Sequence, residues 1–104
     1  IGFTIPADLN EGTIDGYHCW AEFFADGKWV PVDISEADKH PGLRDYYFGH
    51  HPANRFELSQ GRDILTEPAP TAGAFNYFFG PHLEVDGNVV PVKAAFEFRR
   101  LTRK

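Results

Sequence analysis

The sequence predicts an α+β fold, mainly antiparallel β-sheet with short helical turns, on three observations. Asp-Gly stands between runs of aromatic and β-branched residues at Asp26-Gly27 and again at Asp86-Gly87, and both residues of such a pair tolerate the positive φ that a two-residue hairpin turn demands. Aromatic residues make up 15% of the chain, with 10 Phe, 4 Tyr and 2 Trp, side chains that suit a pleated, half-buried surface. No internal repeat and no long amphipathic helix is present, so helix content is expected to be low.

Taken in order, residues 1–5 read as a strand stopped by Pro6, and residues 7–15 as a polar, turn-rich segment bending at Asn10-Glu11-Gly12. A hairpin over residues 17–33 comes next. Ser35 then offers a helix N-cap with Glu36 and Asp38 in the first turn, and Pro41-Gly42 limits that helix to about one turn. Residues 43–48 make a second short turn, and residues 49–54 a loop. Arg55-Phe56-Glu57-Leu58 alternates as a half-buried strand does, Ser59-Gln60-Gly61 turns the chain, and residues 62–65 form a further short strand. Residues 68–73 are a Pro/Gly surface loop. Residues 82–85 and 89–90 pair across Asp86-Gly87-Asn88, and residues 92–101 close the chain as a strand with Ala94, Phe96 and Phe98 on one face. The basic residues of the tail, 99–104, read as a solvated terminus.

The hairpin carries the chemistry. A turn at Asp26-Gly27 pairs Ala25 with Lys28 and, stepping outward, brings Trp20 opposite Asp33 with His18 one pair further out on the diagonal. Alternation then gathers His18, Trp20, Glu22, Phe24, Trp29, Pro31 and Asp33 on one face. The other face holds Tyr17, Cys19, Ala21, Phe23, Val30, Val32 and Ile34 and is expected to be core. Consecutive strand residues point to opposite faces, so Cys19 is expected to turn away from His18 and not to be its nucleophile. A histidine oriented by an aspartate, with its second ring nitrogen free, is the base of a nucleophilic triad. The same two residues can equally be an ordinary surface pair on a strand.

Composition bounds the rest. With 104 residues the chain is one domain's worth or part of one. It has no methionine and begins directly in strand-like residues, which suggests a piece of something longer. The net charge is −5 with scattered basic residues, so no basic stripe for nucleic acid or an anionic membrane is present. No apolar run approaches the roughly 20 residues of a membrane span. The single cysteine excludes an internal disulfide and a multi-cysteine metal site. Localisation stays open.

The run His18-Cys19-Trp20-Ala21-Glu22-Phe23, a glycine before Trp29, and Trp29-Val30-Pro31-Val32-Asp33 resemble the transglutaminase-like superfamily, whose members carry His-x-Trp-x-Glu and Gly-x-Trp-x-Pro-x-Asp strands in this order. Asn54-Arg55-Phe56 and Gly61-Arg62-Asp63-Ile64 look, more loosely, like the segment after the hairpin in bacterial members. The resemblance implies a papain-like cysteine acyltransferase or protease domain of which residues 1–104 would be the C-terminal part. It implies His18 and Asp33 as catalytic base and orienter, Trp20 as a wall of the substrate site, a protein or peptide amide substrate, and no cofactor. Nothing in the chain matches the family's nucleophilic cysteine, which begins a helix and would lie upstream of Ile1. This segment is therefore expected to be inactive alone, with the absent N-terminal half-domain as its partner, or to self-associate through the His18/Trp20/Trp29 face.

Three other readings remain. A catalytically silent module of the same fold would serve binding within a larger protein. A zinc site from His40, His50, His51 and Asp45 lacks helix-borne spacing, and adjacent histidines in a turn rarely share one metal, so no metal is expected. A ligand-binding sheet using aromatic platforms competes with the need of a small sheet for bulky core residues; His82 reads as ordinary surface.

Overall fold

The computed structural model describes residues 1–102; Arg103 and Lys104 of the basic tail lie outside the described residues. The fold is α+β and mainly antiparallel, with eight short strands and two short helices among the described residues. The strands form four pairs. β1 (Gly2–Thr4) pairs with β5 (Arg55–Glu57), β2 (Glu11–Thr13) with β8 (Glu97–Arg99), β3 (Ala21–Ala25) with β4 (Lys28–Val32), and β6 (Leu83–Val85) with β7 (Asn88–Val90), all antiparallel. Between β4 and β5 run α1 (Ile34–Lys39), a 3-10 turn at Pro41–Leu43 and α2 (Arg44–Tyr47).

The β3–β4 hairpin has the expected register, Ala25 opposite Lys28 through to Ala21 opposite Val32. Its turn residues Asp26 and Gly27 have φ of 50° and 78°, the left-handed pair that Asp-Gly supplies, and Asp86 and Gly87 repeat it at 50° and 76° between β6 and β7.

Four expectations of local structure need correction. Glu11–Thr13 is strand rather than bend, because β8 supplies its backbone partners from the far end of the chain. β8 in turn spans only Glu97–Arg99 and not 92–101, since its partner is three residues long. Residues 62–65 form no strand but a single bridge, Ile64 to Phe75, with Asp63 at a φ of 54° breaking the extended run. The N-cap of α1 is Asp33, not Ser35: its side chain accepts from the Glu36 amide.

The hairpin face expected to be core is not one. Tyr17, Cys19, Ala21, Phe23 and Ile34 are exposed, and Val30 and Val32 are half-buried. The reason is geometric: only two strands are paired there, and Phe48 is the aromatic ring that meets Phe23, 5.5 Å away. Phe24 and Trp29 on the opposite face are 61% and 64% exposed, touching each other edge to face at 5.4 Å. Trp20, expected to be exposed with them, is half-buried.

Among the described residues, Phe3 and Tyr47 are the buried apolar side chains. Phe3 packs on Phe96 at 4.7 Å, where the β1–β5 and β2–β8 pairs approach. The radius of gyration is 16.7 Å, against about 13 Å for a compact chain of this length. The accessible surface is 8370 Å², against about 5,900 Å² for a compact monomer of this mass.

β1 anchors the start of the hairpin, because it is bonded along both edges. Gly2 pairs with Glu57 across β5, and its backbone also exchanges hydrogen bonds of 2.9 and 2.8 Å with His18. A Cβ at Gly2 would run into the Phe56 carbonyl and stand 2.9 Å from the Glu57 Cα. Gly2→Ala is therefore expected to cost about 1–3 kcal/mol or more, since the obstacle is backbone; an unchanged melting temperature would contradict this close approach.

Candidate functional site

His18 and Asp33 meet. His18 precedes β3 and is held by its two backbone bonds to Gly2. Asp33 comes directly after β4, donates its own amide to the Tyr47 carbonyl at 3.0 Å, and starts α1. Their side chains join through His18 Nε2 and Asp33 Oδ2 at 2.6 Å.

Asp33 is fully buried, the one buried charged residue among those described, and it gathers four donors. Beyond His18, Oδ1 accepts from the Ser35 hydroxyl and the Glu36 amide, each at 3.1 Å. Oδ2 also accepts from Arg55 Nη2 at 3.3 Å. Burial works against ionisation, but the bonds from His18, Glu36 and Ser35 together outweigh it and hold the Asp33 carboxyl below the usual range. An ionised carboxylate only accepts, so Nε2 must carry the hydrogen it shares. In the neutral imidazole Nδ1 then keeps its lone pair and is the free base. No hydrogen bond occupies Nδ1 among the described residues.

Arg55 is nearly as buried as its partner, with a side chain 7% exposed. Its Nη1 donates to Asn54 Oδ1 at 3.3 Å, and Asn54 Nδ2 donates to the Ile5 carbonyl at 2.8 Å, tying the guanidinium to the end of β1. The sequence marks Arg55 as a strand residue but gives no sign of this ion pair, which closes across 22 positions. The capping role of Asp33 did have a signal: Asp33 with Glu36 three residues on is the capping-box spacing.

Trp20 lies beside the dyad, its ring 6.2 Å from that of His18. On Trp20 sits a residue the hairpin does not supply, His51 of the loop between α2 and β5, edge-on at 5.0 Å and 70°. Both His51 ring nitrogens are buried without a hydrogen-bond partner. Burial and then the Arg55 guanidinium push its imidazole below the ordinary histidine range, against a weaker pull from Asp33 and Glu22.

Cys19 is exposed, a free thiol, and makes no hydrogen bond to His18. His40, His50, His51 and Asp45 do not converge: His40 faces Glu36 at 3.6 Å, His50 stacks on Tyr46 at 5.3 Å, and among the described residues no cluster is arranged to hold a metal ion. His82 bonds Glu84 at 2.7 Å, and Glu84 also accepts from the Thr71 amide and hydroxyl, so this pair pins the loop before β6.

An open cavity of about 820 Å³ lies between the β1–β5 and β2–β8 pairs, lined by Phe3, Phe56, Phe96 and Phe98; neither His18 nor Asp33 borders it. No helix is long and apolar enough to cross a membrane among the described residues. No family model, curated protein or solved structure matches the chain.

Proposed function

We propose that this chain is the base-bearing part of a transglutaminase-like cysteine acyltransferase or protease domain, acting on protein or peptide amides. One observation carries the reading: a buried, ionised Asp33 fixed by four donors presents His18 with Nδ1 free. An ordinary surface pair would not hold its carboxylate fully buried, because an isolated buried charge is costly unless it is bonded on all sides.

The chemistry comes from that arrangement. His18 Nδ1 takes the proton of a cysteine thiol, and the thiolate attacks the amide carbonyl carbon. Asp33 stabilises the imidazolium that results. The imidazolium returns the proton to the departing amine as the C–N bond breaks, leaving a thioester. An amine or water, deprotonated by the same Nδ1, then takes the acyl group and restores the thiol. Trp20, beside the imidazole, walls the substrate channel. Cys19, exposed and unbonded to His18, is not the nucleophile.

The thiol therefore comes from outside this segment, on a helical part of the longer protein that packs over the exposed aromatic rings. The surface in excess of a compact monomer is about 2,500 Å², the scale of an obligate interface. Without that cover the segment is expected to associate with itself through Trp20, Phe24 and Trp29, two of which are more than half exposed. Sedimentation at rising concentration should give dimers or larger species; a monodisperse monomer at high concentration contradicts this part of the reading.

The test of the function is amide turnover by the longer chain. Thiol alkylation and His18→Ala should each stop it, whereas Cys19→Ser should not. Turnover that resists alkylation, or no turnover with any amide by a correctly folded chain, overturns the proposal, and the second result favours a silent binding module.

A further inference from the structure

Two buried ring nitrogens with no partner are an expensive arrangement, since each forgoes the hydrogen bond it would make in water. His51 has both, yet its ring stays in the loop between α2 and β5, edge-on to Trp20 at 5.0 Å. Trp20 in turn stands 6.2 Å from His18, so the three rings form a row that ends on the base. What His51 gains is an edge-to-face contact with the indole, an arrangement that aromatic rings favour.

We propose that His51 is a positioning residue: its uncharged ring holds Trp20 beside His18, so that the wall of the substrate site and the base stay aligned only while His51 carries no charge. This rests on the functional reading above for the meaning of the wall, but the packing relation stands without it.

The surroundings give the direction of the effect. The groups facing His51 are Arg55 on β5, His18 ahead of β3, Glu22 on β3 and Asp33 at the start of α1. Asp33 is already committed to four donors and cannot turn to a fifth. A proton on His51 thus places a second cation beside Arg55 with no acceptor in place at either ring nitrogen, and the ring must shift from its seat against Trp20 to pair with Glu22 or reach water.

The test tracks Trp20 alone, in a Trp29→Phe background of this chain, by its fluorescence between about pH 8 and about pH 5, the range in which histidine titrates. One step in emission is expected, below the ordinary histidine range. It should vanish in His51→Phe, which keeps a neutral ring in the seat, and persist in His18→Gln. A step that survives His51→Phe, or that disappears with His18→Gln, overturns the proposal.

A second arm uses the longer chain. His51→Ala is expected to raise KM about 10-fold with kcat changed less, and His51→Phe to restore KM; the scale comes from what small misplacements cost a site. A wild-type KM in His51→Ala overturns the positioning role. Turnover by the His18→Ala protein would instead overturn the functional reading and leave the fluorescence result intact.

Discussion

Asp33→Ala is expected to cost about 3–5 kcal/mol of folding stability, the usual penalty for removing one partner of a buried ion pair. The loss has several sources that one side chain joins. Arg55, 7% exposed, is left as a buried cation with only the 3.3 Å bond to Asn54. The Glu36 amide loses its cap, worth about 1 kcal/mol by itself. His18 Nε2 loses its acceptor. Against a total stability of about 5–15 kcal/mol, and with Phe3 and Tyr47 as the buried apolar side chains of the described residues, a change of that size threatens the fold itself. Urea denaturation measures it; a shift below about 1 kcal/mol, as for an ordinary surface ion pair, would show that Asp33 is no buried hub.

The pH dependence has a definite sign. The folded-state pKa of Asp33 lies below its ordinary carboxylate value, so the unfolded chain binds the proton more readily than the folded one. The stability this group contributes is fully present above the ordinary carboxylate value, about 3.9, and is lost as pH falls through the lower folded value. Asp33→Asn, which keeps the shape and removes the charge, should be less stable at neutral pH and should flatten this acid limb. An acid limb as steep as the wild type's would place the responsible carboxylate elsewhere.

If this chain bears the base of a thiol-dependent enzyme, as proposed, His18→Ala in a protein that also carries the thiol is the second large effect, on rate more than on stability. Removing the base of a nucleophilic triad costs several orders of magnitude in kcat, with a residue of catalysis surviving from binding and oxyanion stabilisation. The expected loss is about 10⁴-fold or more in kcat, with a folding cost smaller than that of Asp33→Ala, since the other three donors to the Asp33 carboxylate remain in place. The backbone bonds of position 18 to Gly2 remain available. Asp33 should act through the same step: a double variant of His18 and Asp33 should be no slower than His18→Ala alone, because two residues that work as a unit are not additive. Additive losses would mean that the two residues serve separate steps.

The parts of this fold that the sequence discloses are those set by neighbours in the chain. Asp26-Gly27 fixes a turn, the turn fixes a register, and the register brings residues 18 and 33 close enough to bond, so the dyad is legible from about 16 residues of pattern. β2 is not legible, because Glu11-Gly12-Thr13 has no apolar alternation and is a strand only by virtue of β8, 84 or more positions away. Burial on the hairpin is hidden for a different reason: Tyr17, Phe23 and Ile34 are core-like by composition, but a two-stranded hairpin has nothing of its own to lay over them.

At the site, the legible residues are those on the hairpin, and the illegible ones come from the loops that return to it. Arg55 and His51 approach Asp33 and Trp20 only after α1 and α2 have turned the chain back. Neither contact leaves a local signature.

Nitrogen NMR of the His18 ring at neutral pH tests the oriented base most directly, by reading which ring nitrogen carries hydrogen. In the neutral form of the ring a single tautomer is expected, with the hydrogen on Nε2 toward Asp33 and a bare Nδ1, and Asp33→Asn should disturb that preference. A hydrogen on Nδ1 of the neutral ring, or the mixed tautomers of a free imidazole, would mean that Asp33 does not orient His18 and that no base is waiting there for a thiol.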